Sequence, residues 1–305
     1  MNTIKILLIS LILSISSSVI SQYNFDFGVK LGMANYLGDI GGKEQTARRF
    51  IWDMKLNQTN FAAGAYARYK FNGLYGLNVS INYGKLSGDD IDSENRARNA
   101  RNLRFKNNVF NLSIENELYL FELNDVGGSG RYWVDMKAYV FGGLSVFIHN
   151  PKGQIDGDSE WYELQPLQTE GIAYKKAGLG IPAGVGLYFT YKRQHRFGWN
   201  ISWTTTFTDY IDDISTVYAD PATLQSDLAA QLANQSELSS EADDEVFLQN
   251  FITGEKRGDQ EYNDSFMFTT FSYGYLIRGS PSFYKQNYGF LKGKKKSVRK
   301  VRAKF

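Results

Sequence analysis

The chain of 305 residues contains no cysteine, five prolines and two histidines. Without cysteine there are no disulfide staples, no thiolate metal site, no cysteine nucleophile and no lipid-anchored N-terminal cysteine. After the first 21 residues no uncharged apolar run reaches the ~18–20 residues of a membrane helix. No phosphate-binding loop, zinc signature or dinucleotide fingerprint occurs. "DGDSE" (Asp156–Glu160) resembles half of a calcium loop but lacks the remaining spacing, and reads as a solvated loop. No cofactor and no metal is expected.

The N-terminus has the layout of a secretory signal: Lys5, an apolar core from Ile6 to Ile15, then Ser21 before Gln22. Residues 1–21 are read as that signal, 22–277 as the folded body and 278–305 as a tail. Charge is unevenly spread. The last fifteen residues hold eight of the 34 Lys and Arg and no acid, whereas the rest of the exported chain is net acidic.

What is abundant is aromatic: 20 Tyr, 21 Phe and 5 Trp, with 29 Gly. The mean hydropathy is negative, as in a soluble protein, but a membrane barrel gives the same average because alternate residues face a polar interior. Period-two alternation recurs along the chain. In "LNVSINY", Leu77, Val79, Ile81 and Tyr83 share one face, with Asn78, Ser80 and Asn82 on the other. "VFNLSIENELYLF" (109–121), "GLGIPAGVGLYFT" (178–190) and "WNISWTTTF" (199–207) repeat the pattern. Eight segments result: 23–38, 59–71, 74–87, 108–121, 133–149, 178–191, 195–211 and 264–277. Most exceed the ~5–6 residues of a soluble strand and cover the ~9–11 of a tilted spanning strand. Long and short connections alternate strictly, with "NG" (Asn72-Gly73) as the tightest hairpin. The fold predicted is all-β: an eight-stranded antiparallel outer-membrane barrel with long extracellular loops and both ends periplasmic.

Within that frame Phe71, Tyr75, Phe121, Trp133, Tyr191, Phe197, Trp199 and Tyr275 form a periplasmic aromatic girdle. Asp26, Lys30, Arg68, Lys70, Glu115, Glu117, Asp135 and Lys137 point inward, where ion pairing is required because a lone buried charge is costly. Pro182 predicts a bulge or a weak pairing. Ser93 is a candidate helix cap in the basic second loop. Asp220 and Pro221 open a helix carrying Leu224, Leu228 and Leu232 on one face, covered by other loops or by a partner. His149, at the outer end of the fifth strand, could act as a base, but no serine stands out beside it. No enzymatic activity is expected. "TDYIDDIS" (208–215) lies where the seventh strand enters the longest loop. Its carboxylates are expected to be wet and turn-forming, which weakens a shared-proton reading; calcium held between Asp209, Asp212 and Asp213 is the other option.

"ANYLGDI" (34–40) and "TDYIDDISTVY" (208–218) are similar to marks of a PorG-like outer-membrane barrel family of the Bacteroidetes type IX secretion system. The resemblance makes Tyr36, Gly38, Asp39, Asp209, Tyr210, Asp212 and Asp213 signature positions. It implies a non-enzymatic structural component in contact with a periplasmic ring that includes a lipoprotein. On that topology the tail is the contact: Phe283, Tyr284, Tyr288, Phe290, Lys292, Lys294, Lys295, Lys296, Arg299 and Lys300. Outer-membrane lipids are the other partner; nucleic acid and small-molecule substrates are not expected. The alternative is an adhesin-like barrel that binds through its extracellular loops.

Overall fold

The computed structural model describes residues 25–40, 58–71, 73–93, 95–126, 134–236 and 248–277. Ten strands follow in chain order: β1 (Phe25–Leu37), β2 (Asn60–Lys70), β3 (Tyr75–Asp89), β4 (Arg104–Leu123), β5 (Val134–Ile148), β6 (Pro151–Gly153), β7 (Tyr162–Glu163), β8 (Ala177–Tyr191), β9 (His195–Thr206) and β10 (Ser265–Ile277). Eight of them close a barrel in the order β3-β2-β1-β10-β9-β8-β5-β4, with β4 returning to β3. All pairings are antiparallel. β1 meets β10 over its whole length, Phe25 opposite Ile277 and Leu37 opposite Ser265. The short β6 and β7 were not foreseen; they extend the sheet beyond the barrel, through Lys106 opposite Lys152 and then Lys152 opposite Glu163.

Closure leaves no free edge in the wall, which is the condition for a sheet to cross lipid. Alternation then sorts the side chains. Leu31, Ile81, Leu112, Leu144, Leu179 and Phe271 stand on the outer surface, Leu144 with 70% of its area exposed. So large a continuous apolar band on a polar-cored barrel belongs in a bilayer. No described helix is long and apolar enough to cross a membrane, so the strands do it. The short connections after β2, β4 and β8, the start of β1 and the end of β10 lie at one rim. The longer ones (38–59, 90–103, 149–176 and 207–264) lie at the other. Exposed Tyr75, Phe121, Phe197 and Tyr275 ring the short-connection rim. Trp133 and Asn72 fall outside the described residues.

The lower barrel is filled by charge and aromatic rings. Arg68 Nε donates to Glu117 at 2.9 Å and its Nη2 to the Tyr139 hydroxyl at 3.1 Å. Asp26 lies between Arg68, at 3.6 Å, and Arg196, with which it pairs. The Arg68 guanidinium is stacked by Tyr66, Tyr139 and Tyr188 at 5.0–5.1 Å. Asn78 Nδ2 donates to Glu115 at 3.0 Å. Asp26, Lys30, Arg68, Lys70, Glu115 and Glu117 are all buried, as expected. Asp135 and Lys137 are only half-buried because they sit at the rim, where Lys137 meets Glu122 at 2.7 Å. Arg196 joins the interior from beside the β8–β9 turn. Gly186 has no side chain because the Tyr139 ring occupies that space.

Pro182 produces no bulge. The β5–β8 pairing instead lapses between Gly142–Ala183 and Ser145–Gly180 and resumes in the same register. The bulge is in β4, between Tyr119 and Phe121. Above the charged layer the core turns apolar: Ala34, Leu86, Phe105, Val109, Phe147, Phe266 and Phe268 pack together under the long loops.

Replacing Arg68 by Met should leave Glu117 and Asp26 short of a partner in the lumen, at a cost of about 3–5 kcal/mol. Urea unfolding in lipid vesicles should show the midpoint shifted to lower urea for Arg68→Met. Glu117→Gln, which keeps a hydrogen-bond acceptor, should shift it less. An unshifted midpoint for Arg68→Met would mean that these charges are solvated.

Candidate functional site

The signature positions converge at the long-loop end, where all four long connections meet over the barrel mouth. Tyr36 closes β1 with its ring edge-on to Phe105 at 4.7 Å. Its hydroxyl lies 2.7 Å from Asp212 Oδ2 and 2.5 Å from Asp264 Oδ1, and accepts the Asp39 amide at 3.1 Å. A side chain at Gly38 would collide with that hydroxyl and with Asp264, so only glycine fits there. Asp39 accepts the Asp259 amide at 2.7 Å. Tyr210 stacks on Tyr174 at 4.6 Å and reaches Glu170.

The expected wet carboxylates are buried. Asp212 and Asp213 are each 1% exposed and Asp209 is 7% exposed. The longest loop folds back over the mouth, so its first residues lie beneath it. β9 also ends at Thr206, before the predicted 211, which lets 207–211 turn inward. Asp213 adopts a left-handed backbone at φ 73°, and its carboxylate accepts the hydroxyls of Thr169 and Tyr174, each at 2.5 Å. Asp212 and Asp213 thus serve different partners. Among the described residues no three His, Cys, Asp or Glu converge as metal ligands.

The shared-proton reading, set aside at the sequence level, returns through hydrogen-bond counting. The Tyr36 hydroxyl has one proton and two carboxyl neighbours, so one carboxyl must donate to it. Asp212 is the poorer donor: its Oδ2 already accepts the Ile40 amide at 3.2 Å and its Oδ1 the Ile214 amide at 3.0 Å. Asp264 commits only Oδ2, to the Ile211 amide at 2.8 Å. The hydrogen-bond count thus favours Asp264 Oδ1 as the donor to the Tyr36 oxygen, which donates onward to Asp212. Burial holds the Asp264 carboxyl well above the usual carboxylate range, reinforced by the Asp212 and Asp209 charges. Burial likewise pushes both Asp209 and Asp212 up to about 8.

Two buried arginines tie the loops together. Arg101 pairs with Asp90 at 2.7 Å and donates to the carbonyls of Asp39 at 2.9 Å and Arg257 at 2.8 Å. Arg257 pairs with Glu170 at 3.0 Å and donates to the carbonyls of Ala233 and Asp213. Glu170 also accepts the amides of Ser215 and Thr216, both at 3.0 Å. These locks were not picked out in the sequence, where Arg101 was one of several loop cations. The helix Arg96–Arg101 is capped by Asn95 rather than Ser93. Asp220 caps a single 3₁₀ turn at Pro221–Thr223, and the helix proper is Asp227–Ala233, capped by Ser226. Leu232 is its buried leucine, packed within the loop cap, while Leu224 and Leu228 are half-buried. His149 is 1% exposed, its Nδ1 is 3.4 Å from Asn107, and burial lowers it to about 4. It is a neutral packing residue against Tyr174. The tail residues from Phe283 to Lys300 lie outside the described residues.

The mouth is thus a proton-holding clasp. A carboxyl that keeps its proton when folded and loses it near pH 4 when unfolded contributes stability that is full below about pH 4 and declines as pH rises. The decline completes through the raised values, about 8 for Asp209. Amide protection factors at Ile40, Ile211 and Ile214 should fall several-fold between pH 6 and pH 9. Asp264→Asn places an amide donor where the proton sits and should flatten that fall, while Tyr36→Phe should lower protection at both pH values. An equal fall in Asp264→Asn would put the proton elsewhere.

Solved structures similar to this chain are themselves barrels. Ail of Yersinia pestis, in complex with the heparin analogue sucrose octasulfate, has 9% identity and a TM-score of 0.36, covering 83% of this chain and 99% of that one. Neisserial surface protein A has 6% identity and a TM-score of 0.37, covering 85% and 100%. OprG of Pseudomonas aeruginosa has 9% identity and a TM-score of 0.38, covering 86% and 100%. The fold assignment rests on the strand register described above. Among curated proteins none matches in sequence. The family model described as a domain of unknown function, DUF6089, matches residues 4–226, and the chain belongs to that family.

Proposed function

We propose that this barrel is a non-enzymatic outer-membrane anchor in a protein-secretion machine of the type IX kind, holding a periplasmic ring that includes a lipoprotein through its basic C-terminal segment. The observation that carries this reading is a filled lumen combined with the start of β1 and the end of β10 at one rim. The interior is closed by Arg68, Arg196, Glu117 and the surrounding tyrosines, so the wall carries no solute path. β10 ends at Ile277 on the short-connection rim, opposite Phe25. On this reading the cationic residues that follow belong to that side. Long loops outside and short turns in the periplasm are the usual asymmetry of such barrels. Aromatic and basic residues side by side suit a segment that orders on an acidic partner. The absence of enzymatic activity is supported by the burial of His149 and its lowered pKa.

A second reading, binding through the loops, is favoured by one feature. A cavity of about 270 Å³ opens between Pro221, Leu224, Leu248, Phe251 and Ile252.

Because the chain has no cysteine, Thr253→Cys in the exposed loop gives a single label site. A membrane-impermeant maleimide should label it on intact cells; labelling only after lysis would invert the topology. Deleting Lys292–Phe305 should leave the barrel inserted and release the periplasmic partner. Unchanged co-purification, with activity lost instead on exchanging loop 212–263, would favour the loop reading.

A further inference from the structure

We propose that the outward face just above the apolar band, carrying Lys85, Lys106, Lys152 and Lys176, binds the phosphorylated headgroup of an outer-leaflet lipid. Three strands bring the charges together. Lys106 on β4 is directly opposite Lys152 on β6, and Ser87, two residues from Lys85, is opposite Lys106 on β3. Like charges placed directly across a sheet destabilise it unless something neutralises them. Glu163 does so for two of the four, at 3.7 Å from Lys152 and 3.2 Å from Lys176. Among the described residues Lys85 and Lys106 have no acidic partner. The neighbouring Arg104 is already satisfied by Asp89 at 3.1 Å and Asp156 at 3.4 Å. Asp158 and Glu160 are engaged with the Tyr162 hydroxyl. Lys85 and Lys106 therefore remain as the two described cations of this face that no acid contacts.

Their height on the wall identifies the occupant. Tyr83 and Phe110, in contact at 4.9 Å, mark the upper edge of the apolar band on β3 and β4, with exposed Ile148 beside them on β5. Lys85 lies two residues beyond Tyr83, about 7 Å along the strand, and Lys106 four beyond Phe110, about 13 Å. On strands tilted by ~45° these become heights of about 5 and 9 Å, within and at the outer edge of the headgroup layer, which adds roughly 5–8 Å to each side of the hydrocarbon. Lys106 lies over the Trp161 ring at 3.9 Å, and Trp is the residue that favours that depth. Acyl chains along Val146, Ile148 and Phe110 would carry a phosphate to the lysines from below. A soluble anion would lack that apolar continuation.

The inference rests on the outward orientation proposed above and not on the secretion role. Loss of the periplasmic partner on tail deletion and loss of lipid on lysine substitution are separate readouts. The test uses the full chain in detergent, with lipid A as the probe and native mass spectrometry as the readout. Bisphosphorylated lipid A should be retained, and dephosphorylated lipid A retained at least fivefold less. Excess inorganic phosphate should not displace the lipid. Lys85→Gln/Lys106→Gln should cut retention at least fivefold, whereas the charge-matched control Lys192→Gln/Lys256→Gln should not. Equal retention of the dephosphorylated lipid, equal loss in both double variants, or displacement by free phosphate would overturn the proposal. The comparison of the two lipids needs no variant and stands even if a substitution impairs folding.

Discussion

The β1–β10 pairing is the constraint on which everything else depends. A strand in hydrocarbon must give every amide and carbonyl a partner, because no water is there to take one. β1 is the first strand in the chain and β10 the last, so the barrel is complete only when two segments some 240 residues apart have met in register. Once they do, an eight-stranded wall has an interior only wide enough for side chains. That narrowness puts Arg68 within reach of Asp26, Glu117 and three tyrosine rings at once. The charges neutralise one another because the wall leaves them no room to stay apart.

Closure also shapes the mouth. β10 begins at Ser265, so Asp264 is fixed at the rim beside Tyr36, the penultimate residue of β1. The seam of the barrel and the proton-holding clasp are therefore neighbours. The clasp reads whether the first and last strands are joined, and the returning longest loop adds Asp212 as the third member. Arg101 and Arg257 extend the tie to the second and third long connections through Asp90 and Glu170. Arg101 also binds backbone carbonyls of two other loops, and Arg257 binds two carbonyls of its own loop while holding Glu170 of the third, so removing either would loosen more than one loop.

Much of this was legible in the sequence. Period two placed all eight wall strands, because a surface facing lipid on one side and charge on the other leaves an alternating record in each strand. The limits of β1, β2, β5, β8 and β10 differ from the expected ones by one or two residues. What period two cannot carry is the fate of the loops. Asp212 and Asp213 sit in a stretch rich in turn-forming residues, and nothing local distinguishes a turn in water from a turn folded under another loop. The paired burial of Glu170 and Arg257, 87 residues apart, has no local signal at all. Arg196 is different. It stands in phase with Asn200 and Thr204, and extending the alternation two steps toward the turn would have placed it inward. β6 and β7 were missed because strands of three and two residues are too short to show a period.

A filled barrel tied at its mouth leaves its outer surfaces as the places where partners can reach it. Its lumen is occupied and its mouth is tied shut by bonds that cross every long connection. What remains available is the outer wall with its lysine-bearing upper margin, the solvent side of the cap, and the short-connection rim where the chain leaves β10. On the proposed orientation each meets a different environment: lipid headgroups, the exterior, and the compartment below. The closed, hydrogen-bonded wall makes the three surfaces one body. A pull applied at the rim is borne by the whole hydrogen-bonded wall, and the cost of withdrawing its apolar band from lipid scales with the area of that band. That is the mechanical property an anchor requires. It follows from closure, the filled interior and the apolar exterior, independent of what binds at either end.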